Sequence, residues 1–260
     1  MPQESAGSPV SFFKGSDEDR AKIAADTLRV AAESRMGDRC HGCRRRLKDD
    51  SSNTVCHECH ARASRRAFWA QQSEEVDRMD AAALVGVGSG FCKDGQWPTM
   101  NDFGLVERLL AHPLPEGGIM AIGAPNAHKS HLLAARTIWF ARQGWSVRFL
   151  NWSKFFREVR GTYSPKPTET EDQLIDRYAA YEYLALDDLG CGAARDNGRE
   201  SESAVRLLYD LLNVRNDNNR LTDVSSNYTP DELKVRFDPQ GRIARRLKSL
   251  CTEYPMLVKE

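Results

Sequence analysis

Gly123-Ala-Pro-Asn-Ala-His128-Lys129-Ser130 stands between the apolar run IMAI and the helical stretch SHLLAARTIWFARQG, and this junction decides the fold. A strand that feeds a loop, a lysine, a hydroxyl and then a helix is the context of a phosphate-binding P-loop. There, successive backbone N–H groups wrap the phosphates, the lysine reaches the β- and γ-phosphates, and the hydroxyl binds magnesium. The stretch departs from GxxxxGK[ST] at one place, because His128 occupies the glycine before Lys129. That glycine lets backbone approach phosphate without a Cβ, so an imidazole has to point away or displace the ligand. Asn126 also replaces a common glycine, but asparagine tolerates left-handed backbone.

Downstream, short apolar runs alternate with longer helical patterns: SVRFLNW, SKFFREVRGTY, DQLIDRYAAY, EYLALDDLG, ESAVRLLYDLLNVRNDN, LTDVSSN and TPDELKVRF. The alternation predicts an α/β fold with a central parallel β-sheet flanked by helices. Leu184-Ala-Leu-Asp187-Asp188 reads as a strand ending in paired carboxylates, the first suited to hydrated magnesium and the second to polarising an attacking water. A solvated turn before Gly190 is the alternative. Val224-Ser-Ser-Asn227 ends another strand where a polar residue is in place to contact a γ-phosphate or the water, although SSN is also ordinary turn chemistry. Asp223 puts a charge in a strand expected to be buried. SPKPTETED, at 164–172, is too polar and Pro-rich for a core and reads as a surface loop.

Upstream, seven cysteines sit at 40, 43, 56, 59, 92, 191 and 251, and the first twenty residues lack the order of a secretory signal. An odd count in that context argues against a disulfide framework. Cys40-His-Gly-Cys43 and Cys56-His-Glu-Cys59 are CxxC pairs twelve residues apart, the spacing of two knuckles that close a tetrahedral Zn2+ site. His41, His57 and His60 crowd the same place and leave open the replacement of one thiolate. Between Arg39 and Arg66, seven Arg and one Lys face Asp49, Asp50 and Glu58, a local excess of five positive charges. That excess either attracts phosphates or solvates a miniature fold. Phe68 and Trp69 follow, as a packing contact for the neighbouring helix or as base-stacking rings. Helices are predicted from Ser16 to Gly37 and from Ala61 to Met79, before the Gly-rich VGVGSGF. The organisation is thus a helical and zinc-binding N-terminal module over 1–80, a connector over 81–103 and an ATPase domain over 104–260.

The 260 residues carry 37 Lys plus Arg and 37 Asp plus Glu, with a sequence pI near 7.0, which excludes a globally basic nucleic-acid coat. At 40% apolar and 28% charged the composition is that of a folded protein. No apolar run approaches the roughly 18 residues of a membrane span, so no membrane partner and a cytoplasmic location are expected.

GAPNAHKSHLL, YLALDDLG, AVRLLYDLLNVRNDNNRLTDVSSNYTPDEL and GRIARRL occur in an order and spacing that resembles the DnaC- and DnaI-type replicative helicase loaders and the related IstB transposition ATPases. The resemblance spans about residues 105 to 255, and a zinc module ahead of the ATPase also resembles the DnaI-type arrangement. It implies an AAA+ P-loop ATPase core whose ATP and Mg2+ site is shared between subunits. On that basis Gly123, Ala124, Pro125, Asn126, Ala127, His128, Lys129, Ser130 and His131 would cradle the nucleotide, and Ser130 and Asp187 would hold Mg2+. Asp188 would be the catalytic carboxylate and Asn227 the polar sensor. In GRIARRL, Arg246 would be the arginine finger, with Arg245 where a serine is usual; a basic solvated helix face is the other reading of Arg242, Arg245 and Arg246. The implied function is ATP-dependent self-association and single-stranded DNA contact in loading a ring helicase. An IstB-like transposition helper, or a non-hydrolysing zinc-containing nucleotide- or DNA-binding module favoured by His128, are the alternatives.

Overall fold

The computed structural model describes residues 55–72, 75–92, 96–98, 117–191, 201–237 and 240–256. Cys40, Cys43 and the helix expected over 16–37 lie outside them. In chain order the elements are α1 (His57–Gln71), α2 (Glu75–Leu84), a 3-10 turn (Ser89–Phe91), β1 (Gly118–Ile122), α3 (Lys129–Arg142), β2 (Val147–Asn151), α4 (Trp152–Thr162), α5 (Glu171–Ala180), β3 (Tyr183–Leu189), α6 (Glu202–Asp217), β4 (Leu221–Ser226), α7 (Pro230–Phe237), α8 (Arg242–Leu250) and β5 (Cys251–Pro255).

The five strands form one sheet in the order β2-β3-β4-β1-β5, and every pairing is parallel. Parallel neighbours need crossovers, so helices cover both faces and the strands are apolar on both sides. Successive side chains of β3 show it: Tyr183 and Ala185 join the core under α3, while Leu184 and Leu186 join the core under α4 to α8. β1 divides the same way, Ile119 and Ala121 to one core and Met120 to the other. β5 has no counterpart in the sequence reading. Its burial is confined to Cys251, and it ends in Pro255, so an edge strand with a half-wet pattern leaves little apolar signal.

α3 packs across β3, β2 and β4, which fixes Lys129 and Ser130 at the carboxyl ends of the strands. α4 is capped by Asn151, whose side chain accepts from the Lys154 N–H, and α5 by a Thr170/Gln173 capping box. The acidic strand carries a register shift between Leu186 and Leu189 against β4. Asp188 lies inside it with a left-handed φ of 60°, and irregularities of this kind re-aim side chains at the rim of a sheet.

At the opposite end, α1 docks on the core. Arg62 and Arg65 ion-pair with Glu182, Arg65 Nε donates to Gly144 O at 2.7 Å, and Arg66 donates to Gln143 O at 3.2 Å. Glycine is required at 144, where φ is 82° and a Cβ would lie 2.2 Å from Arg62 O. Three of the seven arginines in the basic block therefore serve docking, a role beyond the two weighed from sequence. Trp69 is 6% exposed and packs against Trp97 with ring centroids 5.3 Å apart, whereas Phe68 is 40% exposed. The packing reading holds for Trp69. Among the described residues no helix is long and apolar enough to cross a membrane.

Candidate functional site

The loop after β1 keeps Gly123 and has the backbone of a glycine loop although Asn126 and His128 replace two of its glycines. Asn126 takes φ 65°, and His128, the N-cap of α3, takes φ 57° and ψ 19°. Both are left-handed and both side chains are exposed, while Ala127 between them is buried. His128 thus meets the backbone requirement of the glycine it replaces and turns its imidazole outward. Lys129 is only 5% exposed, and its ammonium donates to Gly123 O at 2.8 Å and Ala124 O at 2.7 Å. Burial lowers its pKa, while Asp188, Cys191 and Asp187 work in the opposite direction. The acid pair therefore lies within electrostatic reach of the loop lysine.

Asp187 is 4% exposed at the end of β3. Its Oδ1 accepts from Ser225 Oγ at 2.7 Å, and the Ser130 and Asn151 side chains lie close enough to favour its charged form. Burial raises its pKa, against the influence of Ser225, Ser130 and Asn151. Among the described residues no Lys or Arg forms an ion pair with it. A buried carboxylate bonded to neutral donors, beside the Ser130 hydroxyl, is a donor set suited to a hard divalent cation such as Mg2+. Asp188 is half-buried, its Oδ2 3.5 Å from Asn151 Nδ2.

Because β4 lies between β1 and β3, Asn227 emerges between the loop and the acid pair. Its Nδ2 contacts Cys191 Sγ at 3.2 Å. The Cys191 pKa is raised, chiefly by burial and also by Asp188, with Lys129 and Arg236 opposing. Sequence reasoning thus placed Lys129, Ser130, Asp187, Asp188 and Asn227 on one site, and they converge. Arg246 stands apart: its Nε donates to Asn213 Oδ1 at 3.0 Å and its guanidinium lies 5.5 Å from the Tyr209 ring centroid, both on α6. Arg242 flanks the same ring at 5.7 Å, and Arg245 donates to Gln240 O at 3.0 Å.

Three participants were not singled out from sequence. Asn151 belongs to an ordinary strand end, and Ser225 to a turn-like SSN. Phe91 lies more than thirty residues before the loop, yet packs against His131 at 5.9 Å and Phe149 at 5.8 Å. No local pattern flags any of them, since each acquires its place only when distant segments meet.

Cys56 caps α1 and Cys59 lies in its first turn. Among the described residues no group of three or more His, Cys, Asp or Glu is arranged to hold a metal ion; the Zn2+ site also requires Cys40 and Cys43, which lie outside them.

A five-stranded parallel sheet flanked by helices, with a loop and helix start after β1 and an acid pair ending β3, is the α/β architecture read from the sequence. No protein-family model matches the chain, and no curated protein matches it. Among solved structures it is similar to DnaI, with a TM-score of 0.48 and 21% identity over 62% of this chain and 86% of that one. It is similar to the DnaC helicase loader at 0.47 and 18%, over 59% and 86%. A putative primosome component from Streptococcus pyogenes serotype M3 aligns at 0.44 and 25%, over 61% and 79%.

Proposed function

We propose that this chain is an ATP-binding helicase loader of DNA replication. The observation that carries the nucleotide reading is the convergence of Lys129, Ser130, Asp187, Asp188 and Asn227 at one end of the sheet. The loader reading is supported by the segments LLYDLLNVR and SSNYTPDEL, which resemble those of the DnaC and DnaI type.

The backbone N–H groups of 123–131, Pro125 excepted, and the Lys129 ammonium would hold the phosphates, and Ser130 with Asp187 would hold Mg2+. Bound Mg2+ supplies charge neutralisation and phosphate alignment. With nucleotide bound, Asp188 would be the residue to orient the attacking water and accept its proton, and Asn227 would serve as the polar sensor. Arg246, fixed on the side of α6, serves a neighbouring subunit's site in an ATP-dependent assembly.

Single-stranded DNA contact is supported by α4. Lys154, Arg157 and Arg160 lie three residues apart on its exposed face, and among the described residues none has a carboxylate partner. Glu158, between them, is taken up by Arg177 and Tyr178. A row of unpaired cations on one helix suits a phosphate backbone. Its N-cap, Asn151, reaches Asp188, so DNA on α4 and ATP chemistry share a residue. The N-terminal module, with Zn2+ on Cys40, Cys43, Cys56 and Cys59, grips the helicase.

The test is ATP binding and turnover by the full chain with and without single-stranded DNA, together with co-purification of a ring helicase from the native host. Lys129→Ala is expected to lose nucleotide binding, Asp188→Asn to bind yet not turn over, and Arg246→Ala to bind yet turn over poorly until mixed with Lys129→Ala. Tight ATP binding with no turnover under any condition would establish the non-hydrolysing module instead.

A further inference from the structure

Ser225 is wholly buried on β4, one strand away from the acid pair, and its single hydroxyl makes two contacts that meet at the site. Oγ donates to Asp187 Oδ1 at 2.7 Å and accepts from the Asp188 backbone N–H at 2.9 Å. The two acids lie where the β3–β4 ladder slips, and Asp188 holds a left-handed φ of 60° that a non-glycine residue adopts only when its surroundings require it. In a regular ladder the Asp188 N–H would be bonded by a strand carbonyl; here Ser225 takes that place and turns the same oxygen toward the neighbouring carboxylate. Ser226, the next residue, has a separate duty: its Oγ donates to Leu189 O at 2.7 Å and accepts from the Tyr228 N–H at 3.0 Å.

We propose that Ser225 is a positioning residue for metal-assisted turnover, holding Asp187 in its cation-binding orientation while pinning the backbone turn that aims Asp188. A hydroxyl is the group this position requires. It is the one small side chain that donates to a carboxylate and accepts from an N–H with the same atom, whereas alanine leaves a buried N–H unpaired and a carboxylate free to rotate. Ser225 acts through the two acids, which are the groups its hydroxyl contacts. The inference rests on the ATPase reading above.

The experiment is ATP turnover by the full chain across a Mg2+ titration, with fluorescent ATP-analogue binding alongside and a thermal melt of each variant. Ser225→Ala is expected to bind the analogue as wild type does, to need about ten-fold more Mg2+ for half-maximal turnover, and to lose about ten-fold or more in kcat. Ser225→Thr, which keeps the hydroxyl, is expected to recover most of both. Ser226→Ala controls for loss of a buried hydroxyl on the same strand and should leave the Mg2+ requirement unchanged. A folded Ser225→Ala with wild-type kcat and Mg2+ requirement overturns the proposal while leaving the ATPase reading intact. So does an equal shift in Ser225→Ala and Ser226→Ala. A wild-type chain that binds no analogue overturns the ATPase reading, and this inference with it.

Discussion

Two carboxylates on adjacent strands are both removed from water, and the protein treats them in opposite ways. Asp223, in the middle of β4, is fully buried against an equally buried Arg136 of α3, with Nε to Oδ2 at 2.5 Å. Tyr183 Oη donates to it at 2.7 Å and the Ile119 N–H at 2.9 Å. Burial works against the Arg136 charge, yet the Asp223 carboxylate holds its pKa above the ordinary value, and burial drives the Tyr183 phenol well up. Asp187, at the end of β3, accepts from Ser225 Oγ, is further favoured in its charged form by the Ser130 and Asn151 side chains, and among the described residues pairs with no arginine. The first carboxylate is complete within the fold and ties α3 to three strands. The second is supported in orientation but not neutralised. A charge buried without a counter-charge is costly, and under the proposed function that incompleteness is what bound Mg2+ would resolve.

The contrast breaks most sharply at the pair itself. Arg136→Met or Asp223→Asn alone is expected to destabilise the domain by about 3–5 kcal/mol, because each leaves a buried group without its partner. Chemical denaturation monitored by the five core-linked tryptophans would read it. Replacing both by apolar residues should recover only part of the loss, since the Tyr183 hydroxyl and the Ile119 N–H would remain unpaired. If either single variant matches wild type, the cluster is not a structural tie.

Asp187 should respond with the opposite sign. Its folded pKa lies above the ordinary 3.8 because burial disfavours the charge. The native state therefore binds that proton more tightly than the unfolded chain does. The resulting stability is fully present below 3.8 and is lost as pH rises through the folded value. Asp187→Asn is neutral throughout, so at neutral pH it is expected to gain stability on the order of 1 kcal/mol, about 2–4 °C in melting temperature. The gain should vanish in acid. The same variant should lose the stabilisation that Mg2+ with nucleotide confers on wild type. Melting curves at pH 4 and pH 7, with and without Mg2+ and ATP, separate the two effects.

What the sequence revealed of this contrast follows from how far apart the participants lie. Lys129, Ser130 and the Asp187–Asp188 pair announce themselves because each is the end of a local pattern, a loop before a helix or an apolar run before acids. Asp223 stood out as an oddity without an explanation. Its partner Arg136 lies 87 residues away within the helical stretch SHLLAARTIWFARQG, and nothing local distinguishes a buried arginine from a solvated one. Ser225 and Asn151 are invisible for the same reason. β5 was missed because an edge strand needs only one apolar side. His128 was legible as a departure but not in its resolution, since a left-handed N-cap is a property of backbone that the one-letter pattern does not carry.

A smaller effect is expected at the far end of the sheet, where Glu182 gathers Arg62, Arg65 and the Ser146 N–H. The arginines are about one-third exposed, at 36% and 34%, so water screens the pairs. Glu182→Gln is expected to cost about 1–2 kcal/mol and to loosen α1, read as faster proteolysis between α1 and the core, with the difference from wild type shrinking in high salt. A loss as large as that at Asp223 would mean that this clasp is buried in solution and that the two ends of the sheet are held alike.

The smallest change, and the one that bears most on the loop, is expected for His128→Gly. A non-glycine residue held left-handed costs about 1–2 kcal/mol relative to glycine, and His128 sits there with φ 57° at the start of α3. Glycine relieves that strain in the folded state, but it also frees the unfolded chain, which takes back about 0.4–1 kcal/mol. The second term offsets part of the first, so the melting temperature should stay the same or rise by no more than a few degrees. Nucleotide affinity should hold or improve, because the backbone already has the shape of the glycine loop and removal of an exposed imidazole only clears the approach to it. Calorimetric titration of wild type and His128→Gly with ATP reads the comparison directly. If His128→Gly binds ATP at least ten-fold more weakly, the imidazole itself contacts the nucleotide, and the loop has replaced a backbone contact by a side-chain one rather than tolerating a substitution.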